Sequence, residues 1–535
     1  MDTDMAMAMA TGMPPDARLR RDADCRGCRL RFGSWLLLAT SVSTPALAQT
    51  PGAEAGGRRA WSVVPRVTAS QTFTDNVDLS STAKQADQIT EVSPGIRIQA
   101  DTARLKGFVD YSLRNFLSAQ DERRNRTQNA LTANGAFEAI DKWLYLDASG
   151  TIGQQTVSAF GPQSTGAANL NPNSTQTSTF RFSPYIRGRL AGSADYTLRY
   201  SIAETRVSSS IATGVTNEEF SARVSAALAG PLSWRVDASR QATQFGAGTR
   251  NQADVLSGRL TYLYSPEISG FVTAGTDSNN YRTATAQSYT TSGFGMDWTP
   301  TERTRVSVSR ERRFFGNSHA VSINHRLPLA AIRFSDTRNV TVLPNQSGAT
   351  SNGTYYDLLF AQLGATIPDP VARGQEVARL LQQSGIASNA AITSGYLASR
   401  VSVQRRQDLS LVLNGLRNTV TYTLFQTASE SAGAAAVTSV ADDLSRSTLV
   451  RTSGISSNFS HRLSPLTSLN ALSSWSRTTG SSDSLKTTQR LFNINVSTRF
   501  SQRLGGSLGL RMTISDGTGA AYRENAVLGT ITAHF

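Results

Sequence analysis

The sequence predicts an all-β fold: a transmembrane antiparallel β-barrel of the outer-membrane type, with about 22 strands (roughly 20–24) and a short helix in one long extracellular loop. Three observations predict it. Apolar residues recur at every second position, in segment after segment, from Trp61 to the end, which is the period of a strand with one apolar face. The connections alternate between short and long, the rhythm of periplasmic turns and external loops. The chain ends on such a strand, Ala526 to Phe535, with Phe535, Ala533, Ile531, Gly529 and Val527 on one face and His534, Thr532 and Thr530 on the other.

Residues 1–48 read as an N-terminal extension and an export signal. Arg26, Arg29 and Arg31 precede the apolar core Trp35-Leu36-Leu37-Leu38-Ala39, and Ala46-Leu47-Ala48 supplies small residues for cleavage. Both cysteines, Cys25 and Cys28, fall inside this segment, so a C-x-x-C redox or metal function is not expected of the mature chain. Residues 49–60 form a short periplasmic linker, and 61–535 the barrel. With 17% charged residues and a mean hydropathy of -0.27, no apolar run reaches the roughly 18 residues of a membrane helix. Barrel strands escape that test, because each hides its apolar residues at alternate positions.

Along the barrel region the faces separate cleanly. Val92, Pro94, Ile96 and Ile98 oppose Glu91, Ser93, Arg97 and Gln99; Phe180, Phe182, Ile186 and Leu190 oppose Arg181, Ser183, Arg187 and Arg189. Phe492, Ile494, Val496 and Phe500 oppose Asn493, Asn495, Ser497 and Arg499. Tight turns are predicted at Ala191-Gly192-Ser193, Ser265-Pro266-Glu267, Arg405-Arg406-Gln407 and Ser464-Pro465-Leu466, among others, where Pro, Gly or polar clusters reverse the chain. Longer polar stretches, including 76–88, 157–177, 343–391 and 428–446, are predicted external loops. Parity slips within 61–75 and 403–426 predict bulges there. Trp143, Trp234 and Trp298 lie beside short turns, as an aromatic girdle requires. Within the 343–391 loop, residues 371–383 carry Val377, Leu380 and Leu381 at helical spacing after Pro368 and Pro370, and Ser384-Gly385 follows as a stop. That helix is a candidate constriction of the pore.

No catalytic arrangement is legible. His319, His325, His461 and His534 are scattered without ligand spacing, and no P-loop or G-x-S-x-G is present. The expectation is therefore a non-enzyme with no metal and no cofactor. The informative feature is the polar face: Arg97, Arg114, Arg181, Arg187, Arg189, Arg199, Arg223, Arg235, Arg259, Arg333, Arg400, Arg499 and Arg511 all fall opposite the apolar one. An arginine facing lipid at mid-depth costs about 2–4 kcal/mol, so this face is expected to line the interior. A net charge of +14 would suggest nucleic acid in a cytoplasmic protein, but export to the outer membrane of a Gram-negative cell argues against that partner. A cationic interior instead draws anions.

Val67-Thr68-Ala69-Ser70-Gln71-Thr72-Phe73-Thr74-Asp75-Asn76-Val77, then Ile89-Thr90-Glu91-Val92-Ser93-Pro94-Gly95-Ile96 and Asp110-Tyr111-Ser112-Leu113, resemble the start of the outer-membrane β-barrel proteins associated with PEP-CTERM/exosortase systems. The resemblance extends over about residues 60–535. It implies a role in polysaccharide export or in handling sorted surface proteins, with an exit component for exopolysaccharide, served by periplasmic export components, as the leading expectation; a porin or solute-specific channel and a closed structural barrel are the alternatives. Ending on an aromatic strand likewise resembles the C-terminal signal read by the barrel-assembly machinery, with Phe535, Ile531 and Val527 as its residues. Outer-membrane lipid and lipopolysaccharide are the remaining expected partners.

Overall fold

The computed structural model describes residues 60–535 apart from 165, 209–213, 229, 247, 249, 284, 343–372, 375–376, 378–395, 434–441 and 520. Strands β1 (Trp61–Thr74), β2 (Asp87–Asp101), β3 (Leu105–Ser118), β4 (Arg126–Ile140), β5 (Leu144–Thr156) and β6 (Ser174–Leu190) begin the sheet. They are followed by β7 (Ala194–Val207), β8 (Val215–Ala227), β9 (Leu232–Phe245), β10 (Arg250–Ser265) and β11 (Ile268–Asn279). Next come β12 (Gln287–Thr301), β13 (Thr304–Arg313), β14 (Gly316–Arg326), β15 (Ala330–Thr341) and β16 (Ser402–Asn414). The last six are β17 (Asn418–Ser431), β18 (Leu449–Arg462), β19 (Thr467–Thr479), β20 (Lys486–Arg499), β21 (Leu504–Gly517) and β22 (Tyr522–His534).

All 22 strands belong to one antiparallel sheet. Each pairs with the next in sequence, and β1 pairs with β22, from Arg66↔His534 to Thr74↔Ala526. The closure leaves no strand edge, the condition for a sheet in lipid. Beyond the last strand, Phe535 N–H donates to the Pro65 carbonyl at 3.0 Å.

The outer face is apolar because alternate residues put it there. In β20, Phe492 and Val496 are exposed while Leu491 and Ser497 on the opposite face are buried. In β22, Val527, Ile531 and Phe535 point outward, and their neighbours Thr530 and Thr532 point inward. A closed barrel with an exposed apolar belt is an outer-membrane protein.

Short turns and long loops fall at opposite ends. Ala191 and Gly192 both have positive φ (48° and 72°), and Ser193 N–H donates to the Leu190 carbonyl at 3.1 Å. Leu190 pairs with Ala194, so three residues make the reversal, and Gly192 adopts its positive φ without strain.

Two sequence expectations are corrected. No turn occurs at Arg405–Gln407; β16 runs through these residues, and the reversal is at Gly415–Arg417. Three polar residues in a row resemble a turn, but here they are satisfied inside a strand. Arg406 pairs with Asp408 along one face, and Arg405 and Gln407 share Asp336 on the other. Nor are 61–75 and 403–426 bulged, since their registers run unbroken. The Gln71 side chain that breaks parity in β1 accepts from Thr90 Oγ1 on β2, at 2.9 Å. Register shifts occur instead at Glu138/Ile140, Leu263/Ser265 and Trp298/Thr301, all beside short turns.

The interior is not a single packed core. Among the described residues, buried apolar side chains gather at the loop end in clusters: Val77, Ile89, Phe116 and Ala168; Ala159, Phe160, Tyr396, Ala398, Leu444 and Val450; and another around Phe245, Phe314 and Phe315. Of the predicted helix, Arg373, Gly374 and Val377 are described; all three are helical and Val377 is buried. Leu380 and Leu381 lie outside the described residues.

Candidate functional site

Two regions of the interior carry polar chemistry: a wall on β5–β11 and a loop crossing the mouth.

The wall is built from arginines laid on aromatic rings. Tyr145 of β5 and Tyr185 of β6 are register partners, and their rings stack 5.0 Å apart. Arg187 lies over Tyr145 at 4.2 Å and donates to its hydroxyl at 2.7 Å. Arg199 lies over Tyr185 at 4.0 Å and donates to Asp147 at 3.0 Å. Further round, Arg259 of β10 lies over Phe271 at 3.9 Å. Arg235 of β9 stands directly opposite Arg259 in the register. One carboxylate, Asp237, serves both Arg223 and Arg235. Arg259 Nε is buried and finds no acceptor among the described residues. Like charges directly opposed on a sheet repel. Stacking fixes each guanidinium plane and leaves its edge presented to the lumen.

Twelve of the thirteen arginines predicted from sequence stand on barrel strands, on the face opposite the exposed apolar residues. Arg97 shares Asp110 with Arg66, an interior arginine not expected from the sequence. Arg114 donates to Glu91 at 2.6 Å, and Arg189 pairs with Asp195 at 3.0 Å. Arg181, Arg333 and Arg499 are exposed to the lumen. The exception is Arg400, which precedes β16 in the loop and pairs with Asp442. Its alternation with Val401 mimics a strand, but the ladder begins only at Ser402. Arg126, Arg305, Arg313 and Arg406 also occupy interior positions and were missed; Arg305 and Arg313 sit in the arginine-crowded β13, where both faces are charged.

The loop from Val157 to Asn173 turns into the interior, which sequence reasoning did not find. It leaves β5 and crosses the interior to β20–β22. Phe160 carbonyl accepts from Thr487 Oγ1 at 3.1 Å, and Gln163 carbonyl accepts from Gln489 Nε2 at 2.7 Å and from the Tyr522 hydroxyl. Asn169 donates to Glu524 at 2.7 Å and accepts from Arg511 at 2.9 Å. Arg511 and Glu524, almost fully buried, pair at 2.7 Å. A Cβ on Gly166 would come within 2.2 Å of the Arg511 guanidinium, so any other residue there would displace that guanidinium.

On the other side the loop meets a helical turn, α1 (Asp443–Arg446). Ser158 Oγ and Ala159 N–H both donate to Asp443, each at 2.6 Å. Burial pushes Asp443 up to about 6, against the two hydrogen bonds, with Asp442 adding to the rise. The loop's asparagines and its Phe-Gly-Pro-Gln start are the only hints of this in sequence; nothing local says that it turns inward.

No family model and no curated protein matches the chain. Among solved structures it is similar to the siderophore receptor PirA from Acinetobacter baumannii, at 7% identity and a TM-score of 0.47, covering 88% of this chain and 80% of that one. It is also similar to the FrpB iron transporter from Neisseria meningitidis, at 9% identity and 0.46, over 90% and 82%. The ferric enterobactin receptor PfeA from Pseudomonas aeruginosa follows at 11% and 0.44, over 88% and 81%. Likeness at this level says nothing of cargo.

Proposed function

We propose that this outer-membrane barrel is the exit conduit for an acidic exopolysaccharide, of the kind associated with PEP-CTERM/exosortase systems. The observation that carries the reading is the arginine–aromatic wall, above all the opposed pair Arg235 and Arg259 beside Arg223. Forked guanidinium groups suit carboxylates and phosphates. Tyr145, Tyr185 and Phe271 give the same surface flat apolar plates, which suit the faces of sugar rings. Many weak, repeated contacts let a polymer slide where one tight site would hold it. Periplasmic components would deliver the polymer, and the barrel-assembly machinery would insert the barrel.

The loop across the mouth favours a second reading, a gated channel specific for small anions. Two experiments separate them. In a planar bilayer, uronic-acid oligosaccharides should block the ionic current of the purified barrel, and neutral oligosaccharides of equal length should not. A deletion strain should lose surface polysaccharide. Equal block by neutral sugars would remove the first reading. Unchanged polysaccharide together with lost uptake of small anions would establish the second.

A further inference from the structure

The outer face is not alike all round the barrel. Just above the apolar belt on β13–β22 stand Arg312, Arg338, Arg405, Arg451, Arg477 and Arg490, each facing outward by register with an exposed apolar residue. They lie roughly eight to eleven residues from the short-turn end of their strands, or about 20–28 Å along the axis at a tilt of about 40°. That height is the top of the hydrocarbon band, about 25 Å tall, where the phosphates of the outer leaflet lie. On β7–β10 the outward arginines at the loop end are neutralised: Arg206 by Glu204, Arg240 by Asp254 and Arg250 by Glu218. On β13–β22 most are not: Asp336 holds Arg405, whereas Arg338 lies over the Phe315 ring and donates to the Asn317 carbonyl. Among the described residues no carboxylate pairs with Arg312, Arg451, Arg477 or Arg490. Asp336, which takes Arg405 and His319, and Glu430 are the acidic groups facing the middle of this belt. Arg338 and Arg405 are direct cross-strand partners; Asp336 answers Arg405, and among the described residues no carboxylate pairs with Arg338. A groove of about 200 Å³ opens there, lined by Arg338, Arg405, Gln426, Glu430 and Arg451.

From this one-sided belt we infer that β15–β18 hold a lipopolysaccharide molecule from outside, with the phosphates of its lipid A seated between Arg338, Arg405 and Arg451. The acyl chains would then run down the apolar face below, along Phe334, Leu409, Leu424 and Ile455, one transverse row of the sheet. The inference rests on the outer-membrane location and is independent of what crosses the lumen. Charge complementarity selects the occupant: a bisphosphorylated lipid is anionic at this depth and apolar beneath it.

The test uses the full barrel purified from outer membranes and vesicles of defined lipid. Wild-type barrel should bind vesicles containing bisphosphorylated lipid A in preference to vesicles containing the same lipid A without its phosphates. The triple variant Arg338→Gln, Arg405→Gln, Arg451→Gln should bind the phosphorylated vesicles more weakly, on the order of a hundredfold. Arg240→Gln on the opposite wall should bind as wild type. Heat-modified migration in gels checks that each variant is folded, and the comparison of the two lipids on wild type needs no variant. Equal binding of both lipids overturns the inference. So does a folded triple variant that binds like wild type.

Discussion

Arg511 and Glu524 show how much one buried pair holds. Their side chains are 5% and 2% exposed, and Asn169 of the crossing loop completes the network from above. Replacing Arg511 by Ala leaves Glu524 charged, buried and without its partner, a change that costs about 3–5 kcal/mol. The heat-modification midpoint of the variant should fall clearly below that of wild type, whereas Arg499→Ala, exposed in the lumen, should leave it unmoved. Asp443 makes a prediction of the opposite kind. Its carboxyl, pushed up to about 6 from an ordinary 3.8, is more strongly protonated in the docked loop than in the undocked one. Docking is therefore weaker above pH 6, strengthens as pH falls through 6, and levels off near pH 3.8. Hydrogen–deuterium exchange of residues 158–164, corrected for the intrinsic rate, should slow between pH 7.5 and pH 5. In Asp443→Asn that change should vanish.

At the scale of elements, what could be read from the sequence follows from the period. A strand that buries nothing but its own alternation declares both faces locally, so β6, β20 and β22 are legible from single residues. The short turns are legible where Gly or Pro punctuates them, and fail where charge alone suggested a break, as at Arg405–Gln407. Contacts made across the lumen leave no local trace. Phe160, Gln163 and Asn169 look like ordinary loop residues, and their partners on β20–β22 are more than 300 positions away in sequence. The same holds for the wall: the twelve strand arginines show in the sequence, but the stacking of Arg187 on Tyr145 and Arg199 on Tyr185 needs the register. Two predictions belong here. Deleting Phe535 removes the outward aromatic at the end of β22 and its N–H bond to Pro65. Barrel recovered in the outer-membrane fraction should drop, while the little that inserts should conduct normally. Replacing residues 159–169 by a short Gly-Ser linker removes the crossing loop and should raise single-channel conductance severalfold. Unchanged conductance would mean that the narrowest point lies elsewhere.

For the molecule as a whole, closure and charge act together. Sheet pairing from β1 round to β22 fixes a wide ring, and the ring gives every interior arginine a fixed place on one wall or another. Carboxylates answer many of them: Asp110 takes two, Asp237 takes two, and Glu91, Asp147 and Glu524 take one each. Neutralised pairs contribute little field along the lumen, so selectivity should come from the arginines left over. Among the described residues those include Arg187 and Arg259, stacked but without a carboxylate, Arg126, which donates to backbone carbonyls, and the exposed Arg181, Arg305, Arg333 and Arg499. A pore with this balance should prefer anions, and in a KCl gradient its reversal potential should take the sign of the chloride equilibrium potential. The preference should weaken as ionic strength rises, because the lumen is wide and the charges are screened within about 10 Å at 0.1 M salt. Substituting Arg181, Arg259, Arg333 and Arg499 by Gln should move the reversal potential toward zero. Substituting Arg97 and Arg66, which share Asp110, should move it further toward cation preference by freeing that carboxylate. A reversal potential of the cation sign in the unaltered barrel would show that the carboxylates, not the arginines, govern what passes.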